Sequence, residues 1–457
     1  MTANRRVGVA GDAAPGGCIC RSPAGRPGSG GDGFRGYLGI DVGSVSTNLV
    51  ALSDGDEVLA DVYLRTGGDP LGAVQAGLRE LRSALPQGFT VLGCATTGSA
   101  RQLTGVFVGA DVVKNEITCH AVAAQRLVPE VQTVLEIGGQ DSKIIILREG
   151  VVVDFAMNTV CAAGTGSFLD RQASRLGLPI ERFGELALSS RHPVRIAGRC
   201  AVFAESDMIH KQQVGHRVED IVWGLCQALV RNYLNNVAKG KEILPPVVFQ
   251  GGVASNRGMK RAFEEALGME VLVPAYHRVM GAIGAAILVR EERARRGLAE
   301  GVGARGATGE AGRRGEGWGA VAGEGGACGW AAAGAEGVGP CDASPGVAAA
   351  ASVAPRDAGG EAAAATGSGR EVARSRFRGF ELADLDYSTG SFDCDGCPNR
   401  CEVVEVFLDG RLAARWGGRC DRWDLAEAEG ARGKAARLRA GRAVEDSRGQ
   451  ALGPAWR

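Results

Sequence analysis

The chain has 457 residues, with 52 lysines and arginines balancing 52 aspartates and glutamates, so its formal net charge is zero. That balance leaves no global field to draw in nucleic acid or an anionic membrane, and no apolar run is long enough for a signal-peptide core after Met1 or for a bilayer span. A cytoplasmic, reducing setting is therefore expected, where 13 cysteines point to metal ligands rather than disulfides.

Composition divides the length. Many of the 71 glycines fall in residues 1–36 and in a stretch beginning "GVGARGATGEAGRRGEG", followed by an alanine-rich run. Such segments carry few large apolar side chains to bury and are expected to be disordered. The expected plan is a glycine-rich extension over 1–36, one lobe over 37–129 and a second over 130–293. A linker over 294–376, a cysteine-rich module over 377–424 and a tail over 425–457 complete it.

In chain order, "YLGID", "TNLVAL" and "EVLADVYL" read as three strands joined by tight turns. A helix over "PLGAVQAGLRELRSAL", the strand "TVLGCA" and a helix around "NEITCHAVAAQRL" follow. Then the pattern restarts. "TVLEIG", "SKIIILRE" and "VVVDFAM" are again three strands, with helices expected over 164–176, 180–188, 203–213 and 218–238. The strand "PPVVFQ", a helix over 254–267, the strand "VLVP" and a last helix over 279–290 close the region. Two copies of one pattern predict two α/β lobes with a cleft between them.

Each lobe puts a glycine-rich turn at the same place. "GIDVGSVSTN" has Asp41 at a strand end, then Gly43 and Ser44; "EIGGQDSK" has Gly138, Gly139, Gln140 and Asp141. Bare turns expose N–H groups that cradle phosphate, and a neighbouring carboxylate can hold magnesium through water. Either turn alone reads better as an ordinary hairpin; their recurrence at equivalent positions reverses that preference in favour of phosphate. A third turn, "FQGGVASNRG", with Gly251, Gly252 and Val253, is placed to approach an adenosine, or is a plain strand-to-helix turn. Glu116 and His120 stand one helical turn apart, as a cleft-facing pair or a solvated i,i+4 pair.

Three such turns resemble the two-lobed actin/hexokinase/Hsp70-like (ribonuclease H-like) ATPases. "KNEITCHA", "IGGQDSK", "NTVCAAGTGSFLD", "GRCAVFAESD", "GGVASN" and "GAIGAA", in this order over 37–292, are more specifically similar to the ATP-dependent activators of 2-hydroxyacyl-CoA dehydratases, relatives of the ATPase subunits of benzoyl-CoA reductase. The resemblance implies ATP or ADP with Mg2+ in the cleft. Asp41 would organise magnesium and water, Gln140 and Asp141 would sense the γ-phosphate, and Gly251 to Val253 would contact adenosine. Glu136 stands where many superfamily members have aspartate, one methylene shorter.

The same resemblance assigns Cys161 and Cys200 to an iron–sulfur cluster. Read alone, Cys161 is either a small buried apolar residue or a thiol whose pKa the following helix N-terminus lowers. A 4Fe-4S cluster takes four thiolates and one chain offers two here, so a homodimer sharing one cluster is expected. The implied activity is delivery of one electron, driven by ATP, from a donor such as ferredoxin or flavodoxin to a dehydratase or similar acceptor. Cys94, Cys119 and Cys226 are assigned to packing. A sugar or small-acid kinase, or a nucleotide-gated scaffold without catalysis, would use the same lobes but has no need of Cys161 and Cys200.

Near the C-terminus, Cys394, Cys397, Cys401 and Cys420 have the spacing C-x2-C-x3-C-x18-C, a ligand signal in a polar, turn-rich stretch. Tetrahedral Zn2+ and a second iron–sulfur cluster both accept four thiolates.

Overall fold

The computed structural model describes residues 34–158, 162–306 and 374–417, the side chains of 297–306 and of Trp416 excepted. β1 (Arg35–Val42), β2 (Ser46–Leu52) and β3 (Val58–Arg65) form an antiparallel meander. α1 (Pro70–Ala84) then crosses over to β4 (Thr90–Thr97), which lies parallel to β1. α2 (Arg101–Val108) leads to the two-residue strand β5 (Val112–Val113), and α3 (Glu116–Leu127) carries the chain into the second lobe. The sheet order is β3-β2-β1-β4-β5.

The second lobe repeats the scheme. β6 (Thr133–Ile137), β7 (Ser142–Arg148) and β8 (Val151–Asn158) form the meander. Four helices follow: α4 (Gly166–Arg175), α5 (Phe183–Leu188), α6 (Ala201–Gln213) and α7 (Val218–Asn236). They lead to β9 (Val247–Gln250), parallel to β6, then α8 (Arg257–Leu267), β10 (Val271–Leu272) and α9 (Met280–Gly306). The order β10-β9-β6-β7-β8 is the first sheet's order with its elements renumbered. The expected meanders and crossovers are thus present in both lobes. α2 and β5 are additions to the expected elements: α2 is short, contains Gly105 and β-branched residues, and has no side-chain N-cap, while two residues are too few to show periodicity. The last helix continues past its expected end at Arg290.

Burial explains the layers. Along α1, Leu71, Val74, Leu78 and Leu81 recur at helical spacing and pack on Leu38, Ile40, Leu49 and Val62 of the first sheet. Asp69 caps this helix by accepting the Gly72 N–H at 2.9 Å, and Pro70 begins it where no N–H is needed. On the sheet's other face, Val50 and Leu52 join Ala282, Ile283 and Ile287 of α9 and Val134 and Ile145 of the second lobe in one core. α9 reaches both lobes because glycines let backbones approach. A Cβ on Gly39 would stand 1.9 Å from the Ala282 carbonyl oxygen, and one on Gly284 would stand 1.9 Å from that of Cys119.

The cysteine-rich region is a meander of β11 (Tyr387–Asp393), β12 (Glu402–Leu408) and β13 (Arg411–Trp416). It is not separate from the first lobe. Leu382, Ala383, Val406, Leu408 and Ala414 complete the core under α1 and α2. Buried Gln75 of α1 donates to the carbonyls of Leu382 (3.0 Å) and Leu385 (2.7 Å), and Tyr387 Oη donates to Asp69 at 2.5 Å. Among the described residues no helix is long and apolar enough to cross a membrane.

Gly284→Ala forces α9 off α3, and overpacking of this kind costs about 1–3 kcal/mol. Thermal unfolding should show Tm lowered by roughly 5 °C, whereas Gly268→Ala, at a helix end with no atom within 4 Å of the added Cβ, should cost less despite its positive φ.

Candidate functional site

Three turns face one cavity between the lobes. The first closes the β1–β2 hairpin, where the Gly43 N–H donates to Ser46 O at 2.9 Å and Thr66 Oγ1 donates to Gly43 O at 2.8 Å. The second closes the β6–β7 hairpin, where the Gly138 N–H donates to Asp141 O at 3.0 Å. The third follows β9: Gly251 has φ 90°, and its absent Cβ would sit 2.4 Å from Ile137 O, so only glycine fits there. Asp41, Gly43, Ser44, Gly138, Gly139, Gln140, Asp141, Gly251 and Gly252 all line this cavity. A neighbouring cavity of about 250 Å³ shares Gly138, Gly139 and Gly252 and extends to Val253, Ile180 and Asn256. Gln140 is exposed at the rim, and Asp141 is half-buried.

Gly139 does more than leave its N–H bare. A Cβ there would lie 2.5 Å from Cβ of Val45, so the two turns meet across the cleft and this glycine admits the opposite lobe as well as a ligand.

The centre of the site is a residue to which sequence patterning assigns no role. Lys143, on β7, is buried, and its Nζ lies 2.8 Å from Asp141 Oδ2, 2.9 Å from Glu136 Oε2 and 3.5 Å from Glu116 Oε2. These carboxylates hold its pKa above the usual lysine value against the opposing effect of burial. Asp41, at the end of β1 and 9% exposed, is pushed up to about 7, first by burial and next by the Glu116 charge, while Lys143 and a hydrogen bond from Asn48 pull it down. Two further glycines fit closely around it. A Cβ on Gly281 would stand 2.1 Å from Asp41 Oδ2, and one on Gly98, at φ 89°, would stand 2.5 Å from Oδ1. Local patterning could not have flagged Lys143: β7 reads Ser-Lys-Ile-Ile-Ile-Leu-Arg and both of its faces are buried up to Leu147, so no alternation of polar and apolar positions marks it.

Glu116 and His120 both line the cleft, so the solvated pair is not what forms. α3 starts at Glu116 because Asn115 caps it, accepting the Thr118 N–H at 2.8 Å. His120 is buried with Nδ1 2.8 Å from Gln250 Nε2, and burial pushes its pKa down to about 3, so the ring is neutral at pH 7.

The cysteines are distributed differently. Cys200 is half-buried at the N-cap of α6, whose first turn exposes Val202 (68%) and Phe203 (66%). Its side chain makes no capping hydrogen bond to that 13-residue helix. Cys161 lies outside the described residues, which resume at Ala162. Cys394, Cys397 and Cys401 sit on the β11–β12 connection, where the Cys394 N–H donates to Cys401 O at 2.8 Å and the Gly396 N–H approaches Cys394 Sγ at 3.4 Å. Cys420 lies outside the described residues, and among those described no three His, Cys, Asp or Glu side chains are gathered as a metal site. Cys94, Cys119 and Cys226 are buried, and burial raises each thiol pKa, to about 12 for Cys119 and Cys226.

Two lobes on one repeated mixed sheet, with glycine turns converging on the cleft between them, define an ATPase fold of the actin and hexokinase kind. Residues 38–289 match the BadF/BadG/BcrA/BcrD ATPase family, and the chain belongs to it. It is 36% identical over 259 residues to the (R)-2-hydroxyglutaryl-CoA dehydratase activating ATPase of Acidaminococcus fermentans, a match covering 56% of this chain and 98% of that protein. It is 31% identical over 205 residues to a benzoyl-CoA reductase subunit of Thauera aromatica, covering 42% of this chain and 69% of that one. Among solved structures it resembles the activator of the 2-hydroxyisocaproyl-CoA dehydratase from Clostridium difficile with bound ADPNP. That likeness has a TM-score of 0.54 at 31% identity and covers 58% of this chain and 97% of that chain.

Removing the central ammonium should strand its partners. Lys143→Met is expected to cost about 3–5 kcal/mol, as for other broken buried ion pairs, and Glu136→Gln in the same chain should restore part of it in chemical denaturation.

Asp41 gives a pH signature. Unfolded, its carboxyl ionises near 3.8; folded, it holds its proton to about 7. Between those values the unfolded chain binds fewer protons, so this residue makes stability fall as pH rises through the window and level off above it. The Tm of nucleotide-free protein should show that decline, and Asp41→Asn should flatten it.

Proposed function

We propose that the chain is an ATP-dependent activator that delivers a low-potential electron to a 2-hydroxyacyl-CoA dehydratase or a related CoA-thioester reductase. The observation that carries the reading is the convergence of three glycine turns, Asp41 and the Lys143 cluster on one interlobe cavity, in a chain that spans nearly the full length of an activating ATPase. The N–H groups of Ser44 and Gly139 bind the phosphates of ATP, in turns that the Gly43 and Gly138 N–H groups close. Asp41 orients a water of the accompanying Mg2+, and Gln140 at the rim meets the γ-phosphate. Asp141, held by Lys143 at 2.8 Å, faces the same ligand, while Gly251 to Val253 accept the adenosine. Hydrolysis here needs orientation and charge more than covalent participation by the protein.

Cys161 and Cys200 are the proposed ligands on each of two chains, and a 4Fe-4S cluster held by the four thiolates supplies a one-electron donor when bound. Val202 and Phe203, exposed beside Cys200, give a second protomer apolar surface to cover. Ferredoxin or flavodoxin would recharge the centre. Cys394, Cys397, Cys401 and Cys420 are proposed to bind Zn2+ or a second cluster in the small module.

Two measurements test the reading. ATP turnover should fall at least about 100-fold in Asp41→Ala, a loss typical of removing one preorganised electrostatic group. Anaerobically reconstituted protein should be a dimer whose 4Fe-4S signal disappears in both Cys161→Ala and Cys200→Ala. Persistence of that signal in both variants, with iron retained only by the small module, would favour the kinase reading instead.

A further inference from the structure

Three consecutive residues near the end of α7 hold two distant parts of the second lobe. Arg231 Nη2 donates to Ile196 O at 2.7 Å, and Asn232 Nδ2 donates to Gly198 O at 2.6 Å and to Arg199 O at 3.4 Å. These are the carbonyls of the segment that runs into Cys200. The next residue points about 100° further round the helix. Its hydroxyl, Tyr233 Oη, donates to the backbone carbonyl of Lys143 at 2.5 Å, the residue whose ammonium holds Glu136 and Asp141 of the second glycine turn.

The segment after Cys161 meets the same two parties. Its Gly164 leaves room where a Cβ would come within 2.9 Å of Asn232 Oδ1, and the N–H groups of Gly166 and Ser167 donate to Gly138 O (2.9 Å) and Gly139 O (2.8 Å). Asn232 is 2% exposed and Tyr233 is fully buried, so each bond lies where an unmade partner is costly. α7 is embedded along most of its length in the lobe's core, which favours its moving as a body.

We propose that Asn232 and Tyr233 are positioning residues that make the backbone before Cys200 follow the occupancy of the Gly138–Asp141 turn. A ligand that draws this turn and Lys143 toward the cleft pulls on Tyr233, and the same helix passes the shift to Gly198 and Arg199 through Asn232. The proposal rests on reading the cleft as a nucleotide site, and it adds the route from that site to the cysteine segment.

Peptide-resolved hydrogen exchange on the full chain, with and without saturating Mg2+ and ADPNP, tests it without any cluster being loaded. In the wild type, ADPNP should protect residues 137–143 and change the exchange rate of 195–204 by about twofold or more. Tyr233→Phe keeps the ring and its packing but lacks the donor. It should keep the response at 137–143 and lose at least about half of that at 195–204, as a broken coupling term requires. Asn232→Ser, checked by its melting curve, should do the same from the other end. A response at 195–204 equal to wild type in either folded variant overturns the proposal and leaves the nucleotide reading standing, as does a wild-type response confined to 137–143. No protection at either segment overturns the nucleotide reading and the proposal together.

Discussion

One ammonium group that water barely reaches organises the cleft. Lys143 Nζ is 3% exposed by its side chain and is met by carboxylates from α3, from β6 and from the turn itself. Withdrawing such an ion from water costs several kcal/mol unless its surroundings are already shaped to receive it. The local structure supplies that shape: the Asn115 cap presents Glu116, the β6–β7 register sets Glu136 opposite Lys143, and the hairpin turn returns Asp141. Asp41 and Arg278 line the same cavity.

Much of this architecture was legible in the sequence, for a physical reason. Strand alternation and helical spacing are local properties, so two three-stranded meanders followed by crossovers could be read from 37–292 without tertiary information. The glycine turns could be read because glycine punctuates strand ends, although among their glycines only Gly251 has positive φ. What escaped was set by contacts between distant segments. Nothing near Gly98 or Gly281 announces that Asp41, 57 and 240 positions away along the chain, fills the space a side chain would need. Lys143 is similar: in sequence it is one of three polar residues flanking a short apolar run, and its meaning comes from residues outside its own strand. The docking of the small sheet was also hidden, because Gln75 looks like an ordinary polar helix residue until Leu382 and Leu385 are placed above it.

The two halves of the proposed activity stand on different footings. The nucleotide half rests on side chains gathered in one cavity and on family membership. The redox half rests on sequence likeness around Cys161 and on the placement of Cys200 at a helix start, with exposed apolar residues beside it. α4 follows Cys161 in the chain, and its Gly166 and Ser167 N–H groups bond the Gly138 and Gly139 carbonyls.

The small sheet changes what selection can accept in the lobe beneath it. The Acidaminococcus relative is matched over 98% of its length by 56% of this chain, and the family match ends at 289, well before the sheet begins. A homologue without that sheet must keep the outer faces of α1 and α2 wettable, so polar drift there is harmless to it. In this chain the same faces belong to an interior, with Phe107 stacked edge-on against Tyr387 and Gln75 bound from above. Substitutions interchangeable among short relatives are therefore not interchangeable here, and the sequence of α1 and α2 has to evolve together with that of residues 377–416.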